Sequence, residues 1–138
     1  MGRTTARLKI KNAYDVQKAA EGLIPESKVR TVKVEAVVDT GATYVCLSRA
    51  DIQTLGLPFH RKVEIRTANG RASRRTFKGA EIEMSGRSFV MEVMENDEDT
   101  PALVGYLLLE ALDFVVDLKT RQVMPNPAHD GKWVADLY

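Results

Sequence analysis

The amino-acid sequence predicts a small, mostly-β closed barrel with one or two short helices, and three observations carry that expectation. Short stretches of alternating apolar and polar residues recur along the chain, separated by turn signals. Two glycine-centred turns, at Asn69-Gly70 and Ser85-Gly86, join extended segments directly. A strand, a special loop and a short helix occur in that order twice, at Val34 to Leu55 and at Ala102 to Leu112. With 138 residues, 44% of them hydrophobic and 28% charged, the chain has the size and composition of one globular domain with a real core. Residues 1–138 are read as that domain, with its core at about 7–124 and a C-terminal extension over 125–138.

Leu8 and Ile10 alternate with Arg7, Lys9 and Lys11, the pattern of a half-buried strand. Asp15 to Ala20 fits one or two helical turns capped by Asp15 and stopped at Gly22, or equally a long loop between Asn12 and Pro25. Val29 to Val38 is the next strand. It begins with alternation and turns apolar on both faces near Asp39, as a strand entering a core does. Ser48 caps a short helix that Gly56 closes, with Ile52 and Leu55 facing inward.

Val63 to Thr67 and Ser73 to Phe77 flank Ala68-Asn69-Gly70-Arg71, where Asn-Gly predicts a type I′ hairpin turn with positive φ at both residues. Ala80 to Met84 and Ser88 to Met94 form a second hairpin. Asn96 to Thr100 is an acidic loop. Ala102 to Val104 is a short strand, Gly105 a break and Tyr106 to Leu112 a helix. Phe114 to Leu118 and Gln122 to Met124 make a last hairpin. Trp133, Val134, Leu137 and Tyr138 are too apolar for a free end, so the terminus is expected to dock.

Several function classes recede on composition. The formal net charge of +1 implies no general polyanion-binding surface, and Arg71, Arg74, Arg75 and Lys78 read as a solvated hairpin face rather than a nucleic-acid site. His60 and His129 lack partners at metal-ligand spacing, so no metal or cofactor is expected. Cys46, the one cysteine, lies between Val45 and Leu47 and reads as a small buried hydrophobe rather than a nucleophile. The N-terminus has no apolar signal-peptide core, and no apolar run approaches the ~18 residues needed to span a membrane. A soluble, cytoplasmic protein is the expectation.

Chemistry concentrates at Val37-Val38-Asp39-Thr40-Gly41-Ala42-Thr43, where an apolar strand delivers a carboxylate onto a tight loop. A buried, unpaired acid is costly, which makes Asp39 a candidate for catalysis rather than for turn chemistry alone. These residues resemble the retropepsins, the single-domain aspartic proteases of retroviral type, and their bacterial relatives, from about Leu8 to Val123. Asp39-Thr40-Gly41-Ala42 matches the active-site loop, and Ala102-Leu103-Val104-Gly105 matches the hydrophobic-hydrophobic-glycine segment of that family. The intervening hairpin falls at the flap, with its tip at Thr67 to Gly70.

The resemblance implies an acid-protease barrel working as a symmetric homodimer, in which two Asp39 carboxylates activate a water that attacks the peptide bond. One chain supplies one Asp-Thr-Gly, so the second acid comes from a second copy, on a two-fold axis. Thr40 is assigned to hydrogen bonding across that axis, and Gly41 to close approach of a backbone N–H to the carboxylate. Ala42 stands where related enzymes often have Ser, and losing that hydroxyl implies activity nearer neutral pH. Thr43, Tyr44, the flap residues Thr67, Ala68, Asn69 and Gly70, and Pro101, Ala102 and Leu103 are the expected substrate-binding residues. The partners implied are a second copy and a protein or peptide substrate, with no nucleic acid and no membrane. Two departures stand out: the flap tip holds one glycine where retroviral flaps are glycine-rich, and the tail beyond Val123 is longer. The alternative function is a dimeric peptide-binding or scaffold module on the same fold with little or no hydrolysis.

Overall fold

The computed structural model describes residues 3–135. Its elements are β1 (Thr5–Asn12), α1 (Ala13–Ala20), β2 (Thr31–Val38), β3 (Cys46–Leu47), α2 (Arg49–Leu55), β4 (Phe59–Thr67), β5 (Gly70–Met84), β6 (Arg87–Glu95), β7 (Ala102–Val104), α3 (Tyr106–Leu112), β8 (Phe114–Asp117) and β9 (Gln122–Pro125). Six strands close in the order β1-β2-β7-β3-β6-β5, with β5 returning to β1, and β4 extends from β5 as an arm. The mostly-β closed barrel is therefore as expected. The helix count is corrected: among the described residues there are three α-helices, because Ala13–Ala20 does fold as one. Among the described residues no helix is long and apolar enough to cross a membrane.

Alternation along the strands fills the barrel. Leu8 and Ile10 from β1, Ala36 from β2, Ile82 and Met84 from β5, Val93 from β6 and Val104 from β7 are all buried. Leu55 from α2 and Leu108 and Leu112 from α3 plug the same core. At about 25 cal/mol per Å² of apolar surface, each fully buried Leu or Ile stabilises by roughly 2 kcal/mol against exposure. Long β5 serves both the arm and the barrel. Its register shifts between Phe77 and Ala80, where Gly79 takes φ +83° and a Cβ would strike the Tyr14 ring at 2.4 Å.

Three local expectations change. Asn12, not Asp15, caps α1: its side chain accepts from the Tyr14 and Asp15 N–H groups and donates to Leu55 O at 2.8 Å. Asp15 is instead buried against Arg30, which donates from Nε at 2.8 Å and from Nη2 at 3.0 Å. That guanidinium holds the Asp15 carboxyl down at about 2, against the opposing effect of burial.

The arm turn departs from its expected geometry, which the other hairpin turn takes instead. At the arm, Thr67 pairs with Gly70 and only Gly70 has positive φ (+115°), so Asn69-Gly70 is not a type I′ pair. The Thr67 hydroxyl holds this turn, accepting from Asn69 N–H at 3.2 Å and donating to Gly70 O at 2.8 Å. Ser85 and Gly86 both have positive φ (+49° and +83°) between Met84 and Arg87, as a type I′ turn requires. The basic face is not simply solvated. Arg74 and Arg75 are partly buried and paired with Asp97 and Glu95.

The tail docks as far as it is described. Trp133 donates from its indole N–H to Ala111 O at 2.9 Å, and Arg87 lies over the Trp133 and Phe114 rings. Asp113 accepts from His129, Asn126 and the Val134 N–H, which holds its carboxyl below the usual range, His129 being the main cause. Leu137 and Tyr138 lie outside the described residues.

Candidate active site

The apolar end of β2 runs parallel to β7, pairing Ala36 with Ala102, Val37 with Leu103 and Val38 with Val104. The ladder continues one step past the strand, Asp39 N–H donating to Val104 O at 2.9 Å. The chain then turns sharply, with Ala42 N–H donating to Asp39 O at 3.0 Å. Beyond the turn the loop is clamped from the other side, as Tyr106 N–H donates to Ala42 O at 2.8 Å and Leu107 N–H to Thr43 O at 3.3 Å. The start of α3 therefore spends its otherwise unpartnered N–H groups on the Asp39 loop.

Gly105 makes this contact possible by size rather than by torsion. Its φ is −87°, open to any residue, yet a Cβ there would lie 2.5 Å from Thr43 C and from Tyr44 O. Any side chain would push the loop away.

Asp39 itself is exposed in the chain, against the expectation of a buried acid. The strand before it enters the core, but the turn carries the carboxylate out to the surface. There it accepts one hydrogen bond, from Gly41 N–H at 2.9 Å, and forms no ion pair among the described residues. A Cβ on Gly41 would sit 3.3 Å from that same carboxylate oxygen, so glycine admits the approach with the least crowding. Thr40 is exposed beside it.

A cleft of about 660 Å³ separates the loop from the underside of the arm. Of the residues expected at the site, Gly41, Ala42, Thr43, Tyr44, Thr67 and Leu103 line it. Ala68, Asn69 and Gly70 form the exposed arm tip and are not in its walls. Asp39 and Thr40 stand just before Gly41 in the loop and are not themselves in its walls, and neither are Pro101 and Ala102. Pro101 O accepts from the Asn96 side chain at 2.9 Å, and Ala102 lies against Ala36 in the ladder. Sequence reasoning missed Val63 and Ile65, which alternate with exposed residues along β4, and that period of two was a usable signal. It also missed Met94, Arg74 and Asp97, which only the folding of the arm over the loop brings together.

Cys46 lines the cleft floor, buried, with burial pushing its thiol up to about 11. At neutral pH it is a packing residue, not a nucleophile. Its thiol also feels the charges of Arg74, which lowers its pKa, and of Asp39, which raises it. Among the described residues no group of three or more His, Cys, Asp or Glu side chains is placed to hold a metal ion. A larger groove of about 910 Å³ lies on the far side of Tyr44, against α3 and the docked tail, and holds none of the Asp39 loop except Tyr44.

A family model described as "gag-polyprotein putative aspartyl protease" matches residues 26–111, which contain β2, the Asp39 loop, the arm, β7 and nearly all of α3. A search of curated proteins found no match. The matched region is well over half of the chain and includes every element that builds the loop and its clamp; the chain belongs to the retroviral-type aspartyl protease family.

Proposed function

We propose that the protein is an aspartic endopeptidase that works as a homodimer, with one Asp39 from each copy. The observation that carries this reading is the exposed, rigidly clamped Asp39 carboxylate beside a peptide-sized cleft, with no ion pair among the described residues to explain it structurally. Two carboxylates at ~3 Å share one proton, because both cannot ionise at that distance. The ionised Asp39 takes a proton from the water between them as its oxygen attacks the scissile carbonyl carbon. The protonated Asp39 gives its proton to the carbonyl oxygen, and a tetrahedral diol forms without a covalent enzyme intermediate. Collapse of the diol breaks the C–N bond, with a proton delivered to the departing nitrogen.

Each remaining part has a role on this reading. The Val104, Ala42 and Thr43 backbone bonds fix the carboxylate so that little reorganisation accompanies proton transfer. The arm covers an extended substrate, whose main chain pairs as an added strand between the flap and the loop. Val63, Ile65, Met94 and Leu103 supply apolar wall. With Ala42 in place of a hydroxyl residue, the pH optimum of cleavage lies near neutral, and an optimum well below pH 4 would contradict this.

The test is cleavage of an unbiased peptide library by wild type and Asp39→Asn in parallel, with sedimentation to follow the dimer. Loss of cleavage with the dimer retained supports the protease. Equal cleavage by the two proteins would sink it, and peptide binding without cleavage in both would favour the scaffold alternative.

A further inference from the structure

The charge inside the cleft is unlike the rest of its wall. The inner face of the arm reads Val63 and Ile65 on β4, with Arg74 and Ala72 opposite them in register on β5. Residues paired across a ladder point to the same side of the sheet, so Arg74 shares the cleft-facing surface with Val63. Its side chain is only 24% exposed and stands with Cys46, Met94 and Leu103 in the cleft lining.

The other charged residues there are spent or set at the rim. Glu95 receives Arg75 at 2.8 and 2.9 Å and Arg49 at 3.4 Å. Glu64 and Arg66 are exposed, and Glu64 lies 3.9 Å from Arg71. Arg74 has one acidic partner, Asp97, at 2.7 Å, and donates a second bond to Ser73 O at 3.2 Å. A guanidinium offers five N–H donors, so capacity remains. Asp97 sits on the exposed acidic loop with its side chain 65% accessible, so water can take over that carboxylate at little cost. The cation is thus the desolvated member of the pair and the anion the solvated one. An incoming carboxylate gains more from such a cation than a lysine gains from Asp97, because attraction grows as water is excluded.

We propose that Arg74 sets specificity, and that the cleft selects peptides with an acidic side chain directed up at the arm, next to apolar neighbours. This rests on the peptide-cleft reading above. Binding exchanges the Arg74–Asp97 pair for a pair between Arg74 and the substrate, released Asp97 turning to solvent.

The test uses peptides identical except for Glu, Gln, Leu or Lys at each position flanking the cleaved bond. Wild type is scored by kcat/KM, and the Asp39→Asn protein by binding affinity for the same set. At one position Glu should exceed Gln by about tenfold to a hundredfold. Arg74→Gln should bring that ratio close to one, Arg74→Lys should keep part of it, and Asp97→Asn should raise it. A preference for Lys, no charge preference, or a Glu preference that survives Arg74→Gln would overturn the proposal. Cleavage without charge preference removes this inference alone. Absence of cleavage, with Asp39→Asn binding Glu peptides better in an Arg74-dependent way, removes hydrolysis and upholds the inference.

Discussion

The two strand–loop–helix segments look alike on paper and do opposite work. Each runs a strand into a loop and then a seven-residue helix that ends at a left-handed residue, Gly56 after α2 and Asp113 after α3. In the first, the loop carries Asp39 and the helix is capped away from it, Ser48 accepting from Asp51 N–H at 3.1 Å. In the second, the loop is reduced to Gly105, and the helix start has no side-chain cap because its N–H groups reach the carbonyls of the first loop. One segment presents a carboxylate, and the other is the bed that holds it. A repeat that kept an acid in both halves would put two carboxylates on one chain; this arrangement clamps a single acid, and under the proposed function the second comes from another copy.

Breaking each half should therefore give different losses. Under the proposed function Asp39→Asn removes the catalytic acid and leaves the clamp: cleavage should fall by about three orders of magnitude or more, with an unchanged melting profile. Gly105→Ala breaks the bed. Its methyl meets backbone, not a flexible side-chain end, so the Asp39 loop must move, at about 2–3 kcal/mol of stability and with most of the activity. Denaturant melts and cleavage assays on the two variants separate these outcomes. A stable, active Gly105→Ala protein would show that the clamp is dispensable.

Much of this asymmetry was legible beforehand, because it rests on residue types that have few alternatives. Val37-Val38-Asp39-Thr40-Gly41 and Leu103-Val104-Gly105 placed both segments, and Ser48 and Gly56 marked the ends of α2 where they lie. What escaped depends on packing between distant residues. Asp15 looked like a cap, but Arg30, fifteen residues on, claims it and Asn12 takes the cap. Asn69-Gly70 has the best local type I′ sequence, yet the Thr67 hydroxyl stabilises a different turn. Asp39 was expected inside because its strand goes inside; the turn after Val38 reverses that within one residue. Arg74 read as surface charge until the arm folded over the loop.

A change outside both segments should move stability without touching the comparison. Asp15 titrates at about 2 in the fold against an ordinary 3.8, chiefly because Arg30 donates to it. A depressed carboxyl stabilises the fold above its unfolded value and loses that contribution as pH falls through the folded one. The loss thus falls between about pH 4 and pH 2. Discounted for the half-exposed Arg30, it amounts to about 1–2 kcal/mol. Asp15→Asn should lower the urea midpoint at pH 7, converge on wild type as pH falls below the folded value of about 2, and leave cleavage per folded molecule unaltered. A gap between the two proteins that stays undiminished from pH 7 down through that value would mean the side chain acts by packing.

The smallest effect reads the cleft without any catalysis. Cys46 belongs to the first segment and pairs with Leu103 of the second, so its thiol sits on the seam between them. Burial raises that thiol to about 11, Arg74 pulls it down and Asp39 pushes it up. Only the thiolate reacts with an alkylating reagent, so at pH 8 native Cys46 should react far more slowly than in denaturant. The signs of the two charge effects then follow. Asp39→Asn removes an anion and should speed native alkylation severalfold, whereas Arg74→Gln removes a cation and should slow it. Equal rates in all three proteins would mean that neither charge reaches the seam, and the acid and the cation would not share one cleft. Opposite shifts would locate both groups around Cys46 by a measurement that needs no substrate and no turnover.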